Sequence, residues 1–317
     1  MISGFNSMRN AAARMLRTLV LRGEWNIGVV FQPIHSFLNP GSPRRTPEVH
    51  WLPPLEDGKF LADPFGIERD GRIYILCEEF DYGPHKGVIS VVEIADGILA
   101  SEAKTAMDRP FHMSYPYLLE YQGEVYCIPE TFQAGEIGIY RALEFPYRWA
   151  KAATLIADIA ALDSTVFQYD GRWWLACTDQ DKGPHDKLFV WHASNLFGPW
   201  EPHASNPVKT DIHSARPAGT PFVHEGSLYR PAQDCSGTYG GRIVLNRVVE
   251  LTPAEFEEEP AATVEAFANS PYPDGLHTIS AVGDITLIDG KRDRFIGRAL
   301  KSALVRRMRA SVSCGEG

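Results

Sequence analysis

The sequence predicts an all-β fold: a five-bladed β-propeller of four-stranded antiparallel blades. Three observations predict it. The stretch "ADPFGIERDGRIYILCEEF" (62–80) recurs without gaps as "SYPYLLEYQGEVYCIPETF" (114–132) and "LDSTVFQYDGRWWLACTDQ" (162–180), and again as "AGTPFVHEGSLYRPAQDCS" (218–236). The glycines that anchor these copies, Gly71, Gly123, Gly171 and Gly226, are 52, 48 and 55 residues apart. After each copy comes a loop and a further β-prone run, "GVISVVEI", "EIGIYRAL", "KLFVWHAS" or "RIVLNRVV", and then a short polar segment. Four strands repeated about every fifty residues is a blade period.

Each copy reads as a hairpin. Asp70, Gln122, Asp170 and Glu225 precede the anchoring glycines, and a polar residue followed by glycine supplies the positive φ that a two-residue turn needs. The runs that follow, "RIYILC", "EVYCIP" and "RWWLAC", are rich in β-branched and aromatic residues. A fifth, weaker hairpin lies at "HTISAVGDITLIDG" (277–290), after which strand signals stop. "EWNIGVVFQPI" near the N-terminus is expected to complete that blade, closing the ring and leaving no open edge. The expected organisation is a basic N-terminal segment over 1–23, the propeller over 24–290 and a basic tail over 291–317.

Composition agrees with a turn-rich β protein: Gly 27 and Pro 23 in 317 residues, with 44% hydrophobic residues for a core. The net charge is −9, but residues 1–22 carry +4 and 291–309 carry +7, so the remainder carries −20. A body this acidic argues against nucleic-acid binding. Five cysteines without a CxxC pair indicate neither a zinc cage nor a disulfide framework, and Cys77, Cys127 and Cys177 sit in apolar strand runs as small core residues. A cytoplasmic location is expected. "NAAARMLRTLVLRG" and "RDRFIGRALKSALVRRMRAS" read as short amphipathic helices with basic faces, suited to peripheral contact with the inner membrane face or to packing on the acidic body.

Hairpin geometry collects polar residues at the end of each unit away from the turn. There Asp63 faces Glu78 and Glu79, Tyr115 faces Glu130 and Thr131, Asp163 faces Thr178 and Asp179, and Ala218 faces Gln233 and Asp234. His112, His213, Arg216, Tyr239 and His277 fall nearby in sequence. In a propeller this end opens on one channel mouth. Converging carboxylates with histidines and an arginine suit carbohydrate, because sugar hydroxyls need donors and acceptors together and glycosidic chemistry needs paired acids. Asp63, Asp163 and Glu130 are the candidate catalytic residues. Glu78, Glu79, Tyr115, Asp179, Arg216, Gln233, Asp234, Tyr239 and His277 are the candidate ligand contacts. No spacing motif indicates a metal or cofactor, so neither is expected. The repeated "GPH" at 83–85 and 183–185 reads as turn chemistry first and a rim contact second.

These residues carry a resemblance. "FLADPFGIERDGRIYILCEEFDYGPHKGVISVVEI", "HMSYPYLLEYQGEVYCIPET", "YRPAQDCSGTYGGRI" and "DGLHT" resemble the N-terminal propeller domain of plant glucosamine inositolphosphorylceramide transferases over about residues 24–290. The resemblance implies a five-bladed propeller similar to the arabinanase, invertase and levansucrase clan of glycoside hydrolases. In that clan three acids act from blades one, three and four; Asp63 matches the base or nucleophile of blade one and Asp163 the orienting acid of blade three. Where blade four should supply a glutamate as proton donor, "HSARPAGTPF" offers Arg216 and Ala218, leaving Glu130 or Asp234 as substitutes. The glycosyltransferase domain of the plant proteins has no counterpart after Gly290, so transfer is expected to need a glycosyltransferase partner. Two readings stand. One is a carbohydrate-binding or -processing propeller acting on a glycan, glycolipid or nucleotide sugar in glycolipid or surface-polysaccharide biosynthesis. The other is a glycoside hydrolase or transglycosidase using Asp63.

Overall fold

The computed structural model describes residues 21–38, 47–95, 98–99 and 101–295. The two basic amphipathic segments expected at the termini lie largely outside these residues. Five antiparallel sheets follow the predicted repeat. Blade 1 consists of Lys59–Arg69, Arg72–Asp81 and Lys86–Ala95, with Ile98–Leu99 and Lys104–Met107 at its outer edge. Blade 2 is Ser114–Tyr121, Glu124–Glu130, Glu136–Glu144 and Arg148–Ala157. Blade 3 is Ala161–Tyr169, Arg172–Asp179 and Lys187–Ala193, edged by Glu201–Pro202 and Lys209–Thr210. Blade 4 is Phe222–His224, Ser227–Asp234, Arg242–Leu251 and Phe256–Glu265. Blade 5 takes its inner hairpin, Ile279–Val282 and Ile285–Phe295, from the end of the chain and its outer strands, Leu21–Val30 and His50–Trp51, from the beginning. The ring is closed by the N-terminal strand, as the sequence predicts.

The turns form for the expected reason. Asp70, Gln122, Asp170 and Glu225 all adopt positive φ (47° to 53°), followed by a positive-φ glycine in each case. Blade 5 differs in length: its last strand continues to Phe295, five residues past Gly290. "DG" at 289–290 resembles a turn but lies inside that strand. Gly290 is needed there because a Cβ would come within 2.3 Å of the Trp51 ring.

The core lies between blades rather than at the centre. Leu76, Ile89 and Met107 of blade 1 pack against Val125, Cys127 and Trp149 of blade 2. Tyr117 and Ile128 of blade 2 pack against Val166 and Leu175 of blade 3, and Trp174 and Val190 of blade 3 against Leu228 and Val248 of blade 4. Blades 4 and 5 meet through Leu245 and Ile288, and blades 5 and 1 through Val29 and Ile75. With apolar surface consumed at these interfaces, the innermost strands leave polar groups around the axis, and those groups form the site.

Candidate functional site

The inner strands of blades 1, 2 and 3 break register at the same place. Pairing jumps from Ala62↔Glu78 to Phe65↔Leu76, from Ser114↔Glu130 to Tyr117↔Ile128, and from Leu162↔Thr178 to Thr165↔Ala176. Each jump is a β-bulge, and the bulged residue has a left-handed backbone: Asp63 at φ 52°, Tyr115 at 43° and Asp163 at 53°. For non-glycine residues this conformation is uncommon, and its repetition at three equivalent positions marks a feature held in place by its surroundings. The bulge also turns a backbone N–H out of the ladder toward the axis.

Side chains from neighbouring blades receive those N–H groups. The Asp63 amide donates to Asp289 Oδ2 (3.2 Å), the Tyr115 amide to Asp63 Oδ2 (3.3 Å) and the Asp163 amide to Glu130 Oε2 (2.9 Å). Blade 4 uses Gly219 at the corresponding point, and its amide donates to the Tyr115 hydroxyl (2.7 Å). The acids therefore sew one blade to the next.

Two clusters grow from this ring. In the first, Asp289 accepts from the amides of His277 and Thr278 (2.9 and 3.0 Å), and the Thr278 hydroxyl donates to Asp63 Oδ1 (2.7 Å). The His277 ring lies 3.4 Å from Asp63 Oδ1 through Nε2. Its Nδ1 is 2.6 Å from Asp289 Oδ2, without hydrogen-bond alignment. Burial disfavours a charged His277, but the two carboxylates outweigh it and raise its pKa. Asp63, His277 and Asp289 offer ligand atoms within 4.8 Å of one another, as a small cation would require. Both oxygens of each acid already accept hydrogen bonds from protein donors.

In the second cluster, Asp163 Oδ2 accepts from Arg216 Nε (2.6 Å) and Gln233 Nε2 (2.8 Å). Arg216 also donates from Nη1 to the Pro184 carbonyl and to His185 Nδ1 (3.3 Å), which places the imidazole proton on Nε2. Its Nη2 stands 4.0 Å from Glu130. Tyr239 covers this cluster, its ring 5.0 Å from the guanidinium, and at 40% exposure it is the part of the site most open to solvent. The same ring meets His185, His277 and the buried Trp25. Gly240 lets its loop lie so close: at φ 61°, a Cβ there would come within 2.6 Å of Trp25.

Burial sets the protonation of the acids. It pushes Glu130 up to about 8, helped by the Asp163 carboxylate, and Asp63 up to about 6, helped by Asp163 and Asp289 against the pull of His277. Glu78 is raised well above the carboxylate range by burial and by Asp63.

Asp63, Glu130, Asp163, Arg216, Gln233, Tyr239 and His277 thus come together. Glu78 stands among these axial acids, and the other sequence candidates take different places. Glu79 points to the opposite face of its strand, where it accepts from Ser90 and neighbours Lys59. Asp179 organises its own turn through the Asp181 amide and Lys182. Asp234 accepts from the Ser236 amide and from Arg242, which overcome its burial and hold it down at about 2. Tyr115 is fully buried and spans the channel from blade 2 to Thr165 and Gly219, a plug rather than a mouth contact. Sequence reasoning missed Asp289, disguised as a turn residue, and Trp25. His185 had been signalled by the "GPH" repeat.

Comparison with known proteins gives the chain its family. Residues 55–269 match the family described as glucosamine inositolphosphorylceramide transferase 1, N-terminal. Glucosamine inositolphosphorylceramide transferase 1 of Oryza sativa subsp. japonica is 34% identical over 259 residues, covering 75% of this chain and 35% of the rice protein. The Arabidopsis thaliana protein of that name is 31% identical over 242 residues, covering 74% and 30%. The chain therefore spans about a third of the length of the curated relatives it matches. Among solved structures, a family 117 glycoside hydrolase of Zobellia galactanivorans superposes with TM-score 0.52 at 16% identity, covering 74% of this chain and 86% of that one. An exo-β-1,3-galactanase from Clostridium thermocellum gives 0.54 at 12% identity, covering 71% and 57%. These structures share the fold. The sequence relationship is closer, and by it this chain belongs to the family of glucosamine inositolphosphorylceramide transferase N-terminal domains.

Proposed function

We propose that this propeller recognises carbohydrate at its channel mouth, as a glycan, a glycolipid headgroup or a nucleotide sugar, and serves glycan or glycolipid assembly beside a glycosyltransferase. The observation that carries the reading is the Arg216–Asp163–Glu130 cluster beneath the exposed ring of Tyr239. An aromatic face over a buried set of donors and acceptors is what a sugar ring requires, with its apolar C–H face and its polar rim. The relatives are named as glucosamine inositolphosphorylceramide transferases, which agrees with a glycolipid setting. The test is thermal stabilisation of the protein by a panel of oligosaccharides, glycolipids and nucleotide sugars. At least one member is expected to raise the melting temperature of the wild type and to lose that effect in Tyr239→Ala. A panel that leaves the wild type unmoved would count against the reading.

One observation favours a second reading, glycoside hydrolysis or transglycosylation. Burial raises Glu130, to about 8, further than Asp63, to about 6, so Glu130 holds its proton to higher pH; that ordering suits a proton donor beside a base or nucleophile, with Asp163 orienting. The hydrogen bonds on both oxygens of Asp63 weigh for the binding reading. Mass spectrometry of products from the same panel separates the two. Turnover that disappears in both Asp63→Asn and Glu130→Gln would establish the enzyme.

A further inference from the structure

Four of the five buried acids around the axis hold hydrogen bonds that join blades or fix Arg216. Glu78 does not. It is 7% exposed, and among the described residues no hydrogen bond reaches its carboxyl group; His112 Nε2 lies 3.4 Å from it. The orientation of that imidazole is fixed from behind. The Gly87 amide donates to His112 Nδ1 (2.9 Å), so the ring proton sits on Nε2, the nitrogen nearer Glu78. The His112 amide is tied to Gln133 Oε1 (2.8 Å), and the Met113 amide to the Gly87 carbonyl (3.0 Å). Gly87 leaves the pair its room, since a Cβ there would stand 2.5 Å from Glu78 Oε1 and 2.8 Å from His112 Cε1. Aromatic rings wall the place: Phe80 lies 6.0 Å from His112 and Phe132 6.1 Å, with the exposed His85 against Phe80.

We propose that Glu78 and His112, walled by Phe80 and Phe132, form a subsite on blades 1 and 2 that takes one neutral hydroxylated ring of the ligand, a hydroxyl bridging His112 Nε2–H and the Glu78 carboxyl group. This deepens the carbohydrate reading above and rests on it. The pair makes no aligned direct hydrogen bond at 3.4 Å, and a hydroxyl seated beside both atoms can accept from the imidazole while donating to the acid. Burial favours the uncharged form of both partners. Burial holds His112 down at about 4, with His85 and Lys86 contributing, and burial raises the Glu78 acid. The site thus has two unlike halves: a charged one under Tyr239 and an uncharged one here.

The probes are methyl glycosides of glucose, galactose and mannose, together with methyl glucosaminide. The same neutral sugars on an octyl chain, below micelle formation, distinguish a lipid headgroup from a free glycan. Affinities are read by titration calorimetry and saturation-transfer NMR. A neutral glycoside is expected to bind the wild type, to weaken by at least about tenfold in Glu78→Ala and in His112→Ala, and to stay within about threefold in Glu78→Gln. A glycoside whose affinity falls in Tyr239→Ala but not in Glu78→Ala or His112→Ala would overturn the subsite and leave the carbohydrate reading standing. No binding of any glycoside by the wild type would overturn both. A loss in Glu78→Gln equal to that in Glu78→Ala, or preference for the aminosugar, would overturn the neutral ring. Should Glu78→Ala not fold, His112→Ala and the 15N resonances of wild-type His112 carry the test, since Nε2 must shift on adding the glycoside and Nδ1 must remain the acceptor.

Discussion

Blades 1 to 3 and blade 4 solve the same problem with different residues. In the first three the innermost strand carries Asp63, Tyr115 or Asp163 in a left-handed conformation, and a carboxylate from the preceding blade receives the freed amide. Blade 4 replaces the strained residue with Gly219, the acceptor with the Tyr115 hydroxyl, and the inward carboxylate with the neutral Gln233. It then adds Arg216, which neutralises Asp163. The difference teaches how five carboxylates are held around one axis. Blade 4 supplies the cation and the amide, blade 5 supplies His277, and burial favours the protonated forms of Glu78 and Glu130. Arg216 is thus the group of blade 4 that stabilises the acid of blade 3.

The largest effect expected from disturbing this arrangement is at Gly219. Its φ is 129°, and a Cβ would fall 1.7 Å from the Ile279 carbonyl oxygen, a backbone atom of blade 5 that cannot give way alone. Gly219→Ala is expected to cost at least about 4 kcal/mol or to prevent folding, read by urea denaturation. An alanine accommodated at under about 1 kcal/mol would show that blade 4 does not depend on the glycine. Next comes Arg216→Met, which strands Asp163 in the interior with Gln233 as its remaining side-chain donor. A loss of about 3–5 kcal/mol is expected, and adding Asp163→Asn should recover most of it. Additive losses in that double-mutant cycle would mean the pair does not act as a unit.

The protonated acids give the pH dependence its sign. A carboxyl group whose folded pKa exceeds its unfolded value binds more protons in the native state, so its stabilising contribution is complete below the unfolded value and declines as pH rises through the folded one. For Glu130 and Asp63 the window runs from about 4 to about 8. Opposing it at the acid end is His112, whose lowered pKa makes stability fall as pH drops from about 6.5 toward 4. Stability is therefore expected to peak on the mildly acidic side and to decline between pH 6 and 8. Glu130→Gln should flatten that decline, measured as the denaturation midpoint against pH, and a profile unchanged by the substitution would place its titration elsewhere.

How much of this could be read from the chain depends on how local each feature is. The hairpin turns were legible because type I′ chemistry resides in two adjacent residues such as Asp70 and Gly71, and the period of the glycines then gave the blades. Which side chains meet was less legible. A β-bulge shifts the alternation of a strand by one residue, so counting from the turn placed Tyr115 at the mouth when it fills the channel. The same count grouped Glu79 with Glu78, although neighbours on a regular strand face opposite ways. Contacts between blades, such as Arg216 with Asp163 or Asp289 with the Asp63 amide, join residues 53 and 226 positions apart and leave no local trace. Asp289 was hidden twice, by that distance and by a following glycine that exists for packing against Trp51.

The smallest stability effect is expected where function would show the largest, at Asp63→Asn. Asparagine is among the residues most tolerant of a left-handed backbone, so φ 52° costs it little. Its amide oxygen can accept from either the Tyr115 amide or the Thr278 hydroxyl, and Thr278 can rotate to meet the amide nitrogen. The substitution also removes a buried charge held near His277, offsetting the lost ion pair. The denaturation midpoint should move by no more than about 1 kcal/mol at pH 7. If so, a change in glycan binding or turnover in this variant is attributable to chemistry at the carboxyl group. A loss of several kcal/mol would instead show that the charge itself holds blades 5, 1 and 2 together. Asp63 would then be a structural staple in all three blades, with the ligand left to Glu78 and to the cluster beneath Tyr239.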